Sequence, residues 1–174
     1  MLPASAEQRA ARVRLMGFDV DGTLTDGGLY FGRDGEAMKR FCVFDGHGLR
    51  SLLQNGIAVA WITARNSSIV EARAHDLGIS HVVQACKQKR DALDEIRIAL
   101  DLSWEQCGFF GDDWPDLPAL QQVGFAATTS TAPGRILAQA HWIARRPAGH
   151  GAARDLCDFI GQHQGWGEEP TLSP

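Results

Sequence analysis

No apolar run in this chain approaches the roughly 18 to 20 residues needed to cross a bilayer, although 44% of its 174 residues are hydrophobic. The opening stretch, MLPASAEQRAARVRLMGF, also lacks the apolar core of a secretory signal. Basic charge is scarce: 17 Lys and Arg stand against 21 Asp and Glu, a net charge of −4. Without a basic face, neither nucleic acid nor an anionic membrane surface is an expected partner. The four cysteines, Cys42, Cys86, Cys107 and Cys157, are scattered and form no C-x-x-C pair. That spacing argues against a zinc cage or a disulfide framework and for reduced thiols in a cytoplasmic protein. No internal repeat and no linker interrupts the chain, so residues 1–174 are expected to form one domain with a core over about 14–162.

What the chain has instead is regular alternation. VRLMGFDV at 13–20 is a short apolar run ending in acids, as a buried strand does. Residues 28–43 alternate on both sides of Gly32-Arg33-Asp34-Gly35 and predict a β-hairpin. A helix over 46–57 follows, with Leu49, Leu52 and Leu53 on one face and Gly56 as its stop. Strands are then expected at 57–63, 81–84, 107–113, 125–129 and 142–145, and helices at 67–79, 87–102, 118–123, 132–140 and 151–162. Strands alternating with helices of this length indicate an α/β fold, a Rossmann-like doubly wound parallel sheet, here with a hairpin flap. The ending, 163–174, is polar and rich in Gly and Pro, and is read as a flexible tail.

Ligands of open α/β sheets sit beyond the carboxyl ends of the strands. The residues expected there are Asp19 and Asp21, then Thr63, then Asp112 and Asp113. Asp19 and Asp21 lie two apart, so on an extended chain their side chains share a side. Such like charge calls for a hard divalent cation, and Mg²⁺ suits carboxylate, carbonyl and water oxygens. Thr63 and Lys89 add what a metal site alone does not need, a hydroxyl and an ammonium suited to phosphate oxygens. Together these groups describe phosphoryl transfer to an aspartate. Taken singly, each has a bland reading: D-G-T a turn, Thr63 a helix cap, Lys89 a solvated cation, GDDWPD a strand-end turn. Their order along the chain outweighs those readings.

DVDGT at 19–23, ITAR at 62–65, Lys89 and GDDWPD at 111–116 resemble the four motifs of the haloacid dehalogenase-like phosphohydrolases. DGGLYFGRDGE, FCVFDGHGLR, GISHVVQ and RPAGHGAARDLCDFI extend the resemblance, over about 14–162, to the 3-deoxy-D-manno-octulosonate 8-phosphate phosphatases of lipopolysaccharide precursor synthesis. These are a capless branch whose members assemble as tetramers. The resemblance implies that Asp19 is the nucleophile and Asp21 the acid/base. It implies that Mg²⁺ is held by the Asp19 carboxylate, the Asp21 carbonyl and Asp112, with Asp113 and Asp116 behind them. Thr63 and Lys89 would bind the phosphoryl oxygens. The capless reading has its own support, since the hairpin and one helix use up most of the roughly forty residues between Asp21 and Thr63.

A bare site would leave the phosphoenzyme wet, so closure by neighbouring subunits is expected. Leu29, Tyr30, Phe31, Phe41 and Val43 of the hairpin are candidates for that contact, with packing onto the chain's own core as the alternative. Where the family's late glycine-rich loop carries arginine, this chain has His150. Arg65 and Arg73, with His150 from an adjoining subunit, are the candidates for a sugar-acid carboxylate. Asp26 matches the family but is as consistent with a turn. Two other readings stay open. A phosphoacceptor receiver domain uses similar groups, but its acids lie on different strands. A phosphatase for another sugar acid, a KDN or sialic acid precursor, shares all of this chemistry.

Overall fold

The computed structural model describes residues 3–166. A six-stranded sheet forms its centre, with β1 at Leu15–Phe18, β4 at Ala58–Ile62, β5 at His81–Val83, β6 at Cys107–Phe110, β7 at Phe125–Thr128 and β8 at Trp142–Ile143, in the order β5-β4-β1-β6-β7-β8. Every pairing in it is parallel. Two further strands, β2 (Tyr30–Gly32) and β3 (Gly35–Met38), pair antiparallel with each other as the expected hairpin.

Alternate strand residues face opposite layers. Met16, Phe18, Val59, Trp61, Phe110 and Phe125 belong to one apolar cluster, while Leu15, Ala60, Ile62, Phe109 and Ala126 belong to the other. Helices α2 (Val43–Gln54), α3 (Ser68–Leu77) and α7 (Ala152–His163) bury residues in the first. Helices α4 (Lys89–Ala99) and α5 (Leu117–Gln122) cover the second. The sheet is doubly wound, as the sequence predicts. From β1 the chain moves out through β4 and β5, then returns to place β6 on the other side of β1. The connections therefore diverge between β1 and β6, the crevice where ligands of such sheets bind.

Several boundaries differ from expectation. Helix α2 starts at Val43 and not at 46, because Gly46 and Gly48 lie inside it, not at its start. Gly48 is there for space: an added Cβ would lie 3.0 Å from Cys157 Cβ of α7. The hairpin strands consequently end at Met38. Phe41 is no surface residue; its ring stacks on Trp61 at 5.7 Å and joins the core. The helix expected over 132–140 is the four-residue α6, Gly134–Leu137, since Pro133 sets its start and His141 must rejoin Ala126 to lead into β8. Leu100 caps α4 and is exposed. Residues 163–166 are not a loose tail: Gln164 donates to the Ala10 and Val13 carbonyls at 3.0 and 2.8 Å, and Trp166 packs on the core. The remainder of the expected tail, 167–174, lies outside the described residues.

Candidate active site

Asp19 is the first residue past β1, its amide bonded to the Phe110 carbonyl at 2.9 Å, and it is buried at the crevice between β1 and β6. Lys89 opens α4 and is also buried, with Nζ 2.5 Å from Asp19 Oδ1 and 2.6 Å from Asp116 Oδ1. A solvated lysine is thereby excluded. Asp116 is fully buried and organises its surroundings: besides Lys89, it accepts the amides of Asp112 and Asp113 through Oδ2 at 2.9 and 3.0 Å. Asp113, by contrast, is exposed and caps the short turn at 114–116.

Asp112 accepts from Thr23 Oγ1 at 2.6 Å. The turn that brings Thr23 there passes through Gly22 at φ +88°, where an added Cβ would sit 2.6 Å from Asp112 Oδ2. Burial, reinforced by the Asp116 carboxylate and opposed by Lys89, pushes Asp19 up to about 7. Burial likewise raises Asp112 to about 6, with Asp116 and Asp113 adding to the effect. Burial pulls the Lys89 ammonium down, but Asp116 and Asp19 outweigh it and hold it above its usual value. One oxygen each from Asp19, Asp112 and Asp116 lies within 4.8 Å of the others. Both oxygens of Asp116 are already engaged, which leaves Asp19 and Asp112 as the carboxylates with capacity for a cation. Their raised values report burial first and the neighbouring carboxylates second, and a divalent ion would favour the charged form against both.

Asp21 shares the edge but turns away from that group. Its Oδ1 pairs with Lys39 and its Oδ2 lies 3.4 Å from Thr63 Oγ1. Its carboxylate is not part of the Asp19, Asp112 and Asp116 group, and the backbone carbonyl is the atom the resemblance assigns to a metal. Thr63 is buried just past β4 and accepts the Arg65 amide at 3.2 Å; the cap position of α3 falls to Ser67, so Thr63 is not a helix cap. Arg65 reaches the hairpin, 3.9 Å from Glu36 Oε1 and with its guanidinium 5.9 Å from the Phe31 ring centroid.

Two of the proposed substrate contacts lie elsewhere. Arg73 pairs with Asp76 at 2.6 Å and lies against Gly46 of α2, so it is not brought to the carboxylates. Its place in ITAR-to-helix spacing gave no hint of this, because the helix phase turns it onto its neighbour. The His150 ring lies against the Arg40 guanidinium, with nitrogen separations of 3.3 and 3.5 Å. It lines an open concavity of about 460 Å³ with Phe44, Arg146, Arg154 and Asp158. A guanidinium only donates and a neutral imidazole has one acceptor nitrogen, so no more than one of these two contacts is a hydrogen bond. Asp26 accepts the Gly28 amide at 3.0 Å and lies 3.8 Å from Arg40, a turn role at the base of the hairpin. Sequence reading missed Thr23, Glu36, Lys39 and Ser67. Thr23 stood within the D-G-T motif and Glu36 at the end of DGGLYFGRDGE; Lys39 and Ser67 carry no motif, and these last three meet only through the hairpin's placement.

The model of the haloacid dehalogenase-like hydrolase family matches residues 42–124. The chain is 42% identical over 153 residues to the 3-deoxy-D-manno-octulosonate 8-phosphate phosphatase KdsC of Yersinia pestis, covering 88% of this chain and 82% of that one. The Escherichia coli K12 protein of the same name is 37% identical over 165 residues, 94% of this chain and 88% of its own. Among solved structures, the Moraxella catarrhalis phosphatase of that name, in complex with a magnesium ion, a phosphate ion and KDO, has a TM-score of 0.89 at 37% identity, with 92% of each chain covered. A hypothetical protein of Xanthomonas campestris is 48% identical with a TM-score of 0.90, covering 94% of this chain and 90% of its own. The chain belongs to the haloacid dehalogenase-like hydrolases. Within them it is similar over nearly its whole length to the 3-deoxy-D-manno-octulosonate 8-phosphate phosphatases.

Proposed function

We propose that this chain is a Mg²⁺-dependent phosphomonoesterase that hydrolyses 3-deoxy-D-manno-octulosonate 8-phosphate to the free sugar acid and inorganic phosphate, in the cytoplasm. The observation that carries the chemistry is Asp19 and Asp21 two residues apart at the β1/β6 crevice, with Lys89 and Thr63 beside them. The leaving group rests on similarity to the named phosphatases. A receiver domain is disfavoured, because both acids leave the same strand and the second is placed for hydrolysis.

In this reading Asp19 attacks the phosphorus, and the alcohol leaves as Asp21 protonates it. Water, deprotonated by Asp21, then releases phosphate from the aspartyl phosphate. Mg²⁺, held by Asp19, Asp112 and the Asp21 carbonyl, would screen nucleophile from phosphate. Lys89 and Thr63 hold the phosphoryl oxygens, while Asp116 fixes Lys89 and the 112–113 backbone. Arg65, beside Glu36 and Phe31 of the hairpin, is the arginine to which this reading assigns the sugar acid. No described helix is long and apolar enough to cross a membrane.

The proposal includes a homotetramer, with His150 serving a neighbouring site. Leu29, Phe31, Met38, Val43 and Phe44 are each more than half exposed, an apolar surface along the hairpin and the start of α2 that subunit contact would cover. Phosphate release measured across sugar phosphates, with Mg²⁺ and with chelator, tests the reaction. The highest kcat/KM is expected for the eight-carbon acid and none in chelator; full activity in chelator, or preference for a nine-carbon acid, overturns it. A fully active monomer in sedimentation would overturn the assembly.

A further inference from the structure

Lys39 lies one residue beyond β3, and only 2% of its side chain is exposed. Its ammonium pairs with Asp21 Oδ1 and, at 2.8 Å, with Glu36 Oε1. Glu36 in turn accepts from Ser67 Oγ at the start of α3 and faces Arg65. The lysine is therefore fixed from two sides, by a carboxylate of the hairpin and a carboxylate of the sheet edge. Lys89 is the ammonium at Asp19, where phosphorus is attacked. Lys39 touches Asp21 instead, on the leaving-group side.

We propose that Lys39 is a positioning residue that holds Asp21 Oδ1 and so presents Oδ2 to the bridging oxygen of the ester. The proposal rests on the phosphatase reading of Asp21. Among the described residues, the one hydrogen bond to Oδ2 is the 3.4 Å contact from Thr63 Oγ1, which an ester oxygen can replace. When Oδ2 carries the proton, Oδ1 remains an acceptor for an ammonium N–H. The same bond thus survives both states of the carboxyl group and decides which oxygen bears the proton. As the bond from Asp19 to phosphorus forms, the bond from phosphorus to the bridging oxygen breaks and the Oδ2 proton passes to that oxygen. In the second step Oδ2 takes a proton from water, whose oxygen bonds to phosphorus as the bond from phosphorus to Asp19 breaks and phosphate leaves. The hairpin, by bringing Lys39, completes the acid/base.

The test is the dependence of kcat/KM on the leaving group, since that ratio covers the steps through alcohol departure. Phenyl phosphate needs a proton delivered to its leaving oxygen; 4-nitrophenyl phosphate, whose phenol is far more acidic, needs little help. Lys39→Met should lower kcat/KM for phenyl phosphate about 10- to 100-fold, as misplacement of a catalytic group does, and for the nitrophenyl ester by less than about threefold. Lys39→Arg should recover part of the loss. Glu36→Gln keeps the lysine but removes one anchor, and should show the same selective loss in smaller degree, independently of how well Lys39→Met folds. Equal losses on both esters would overturn the proposal, because a merely structural or phosphate-binding role does not depend on the leaving group. Wild-type protein that releases phosphate from no ester, the eight-carbon sugar acid phosphate included, would overturn the phosphatase reading itself and this role with it.

Discussion

Asp19 and Asp45 are both carboxylates taken almost wholly out of water, with 6% and 2% of their surfaces exposed. Their partners differ in kind. Asp45, in the first turn of α2, accepts the backbone amides of Gly151 and Arg154 at 3.2 and 2.8 Å, and so caps α7, whose own cap position, Gly151, has no side chain to do it. Burial raises its carboxyl, and the amides at the helix start counter that. Asp19 instead faces a lysine and lies close to two further carboxylates. Amide dipoles at a helix start are permanent, and a group they satisfy is locked. A carboxylate crowded by its own kind is left with unrelieved charge, which a cation or an electrophile can use. The first arrangement holds two helices together, and the second is the one the proposed mechanism uses for chemistry.

Neutralising each residue should separate the two roles most sharply. Asp19→Asn should lower turnover by about 10³-fold or more, since it removes the nucleophile, while the protein stays folded and, without metal, gains stability. Asp45→Asn should leave kcat within about threefold, because it touches no reacting group. Comparable loss of kcat in both variants would erase the distinction.

A smaller effect is expected in the pH dependence of stability. Asp19 is raised to about 7 and Asp112 to about 6 by burial, with neighbouring carboxylates adding to it. A group whose folded value lies above its unfolded one stabilises the protein below the unfolded value, about 4 for Asp, and loses that contribution as pH rises through the folded value. Metal-free protein should therefore lose stability between about pH 4 and pH 7. Mg²⁺ should restore much of it at the upper end, through binding to the folded state alone. Melting temperatures with and without chelator read this directly, and the slope should be shallower in Asp19→Asn. A profile identical in wild type and variant would break the link to Asp19.

The smallest expected effect belongs to the cap. Asp45→Ala should cost about 1–3 kcal/mol of unfolding free energy in denaturant titration, the price of leaving buried amides unpaired. Asp45→Asn should cost less than the alanine variant, since its amide oxygen still accepts one of the two amides, while its NH₂ faces the other. No loss in the alanine variant would remove Asp45 from the support of α7.

Much of this was legible in the chain. Apolar runs ending in acids placed β1 and β6, and parallel alternation with helices placed the sheet. What misled were residues whose usual meaning was overridden by packing. Gly46 and Gly48 look like a helix start but lie within α2 because α7 needs Gly48's missing side chain. Phe41 looks like part of an exposed hairpin but is drawn onto Trp61. Arg73 looked like a substrate arginine only because nothing in its spacing names Asp76 and Gly46 as its neighbours.

The sequence by itself determined the chemistry: which acids lead out of strands, their two-residue spacing, and the threonine and lysine that accompany them, because strand periodicity and chain order fix which groups reach one edge. Only the tertiary structure decided how those groups divide. Asp116 went to Lys89 and two backbone amides, Asp112 to Thr23, and Asp21 to a lysine carried in by the hairpin. Carboxylates take whichever cations and donors the folded chain brings within reach, and at this site those partners lie up to 89 residues apart, as Thr23 and Asp112 do.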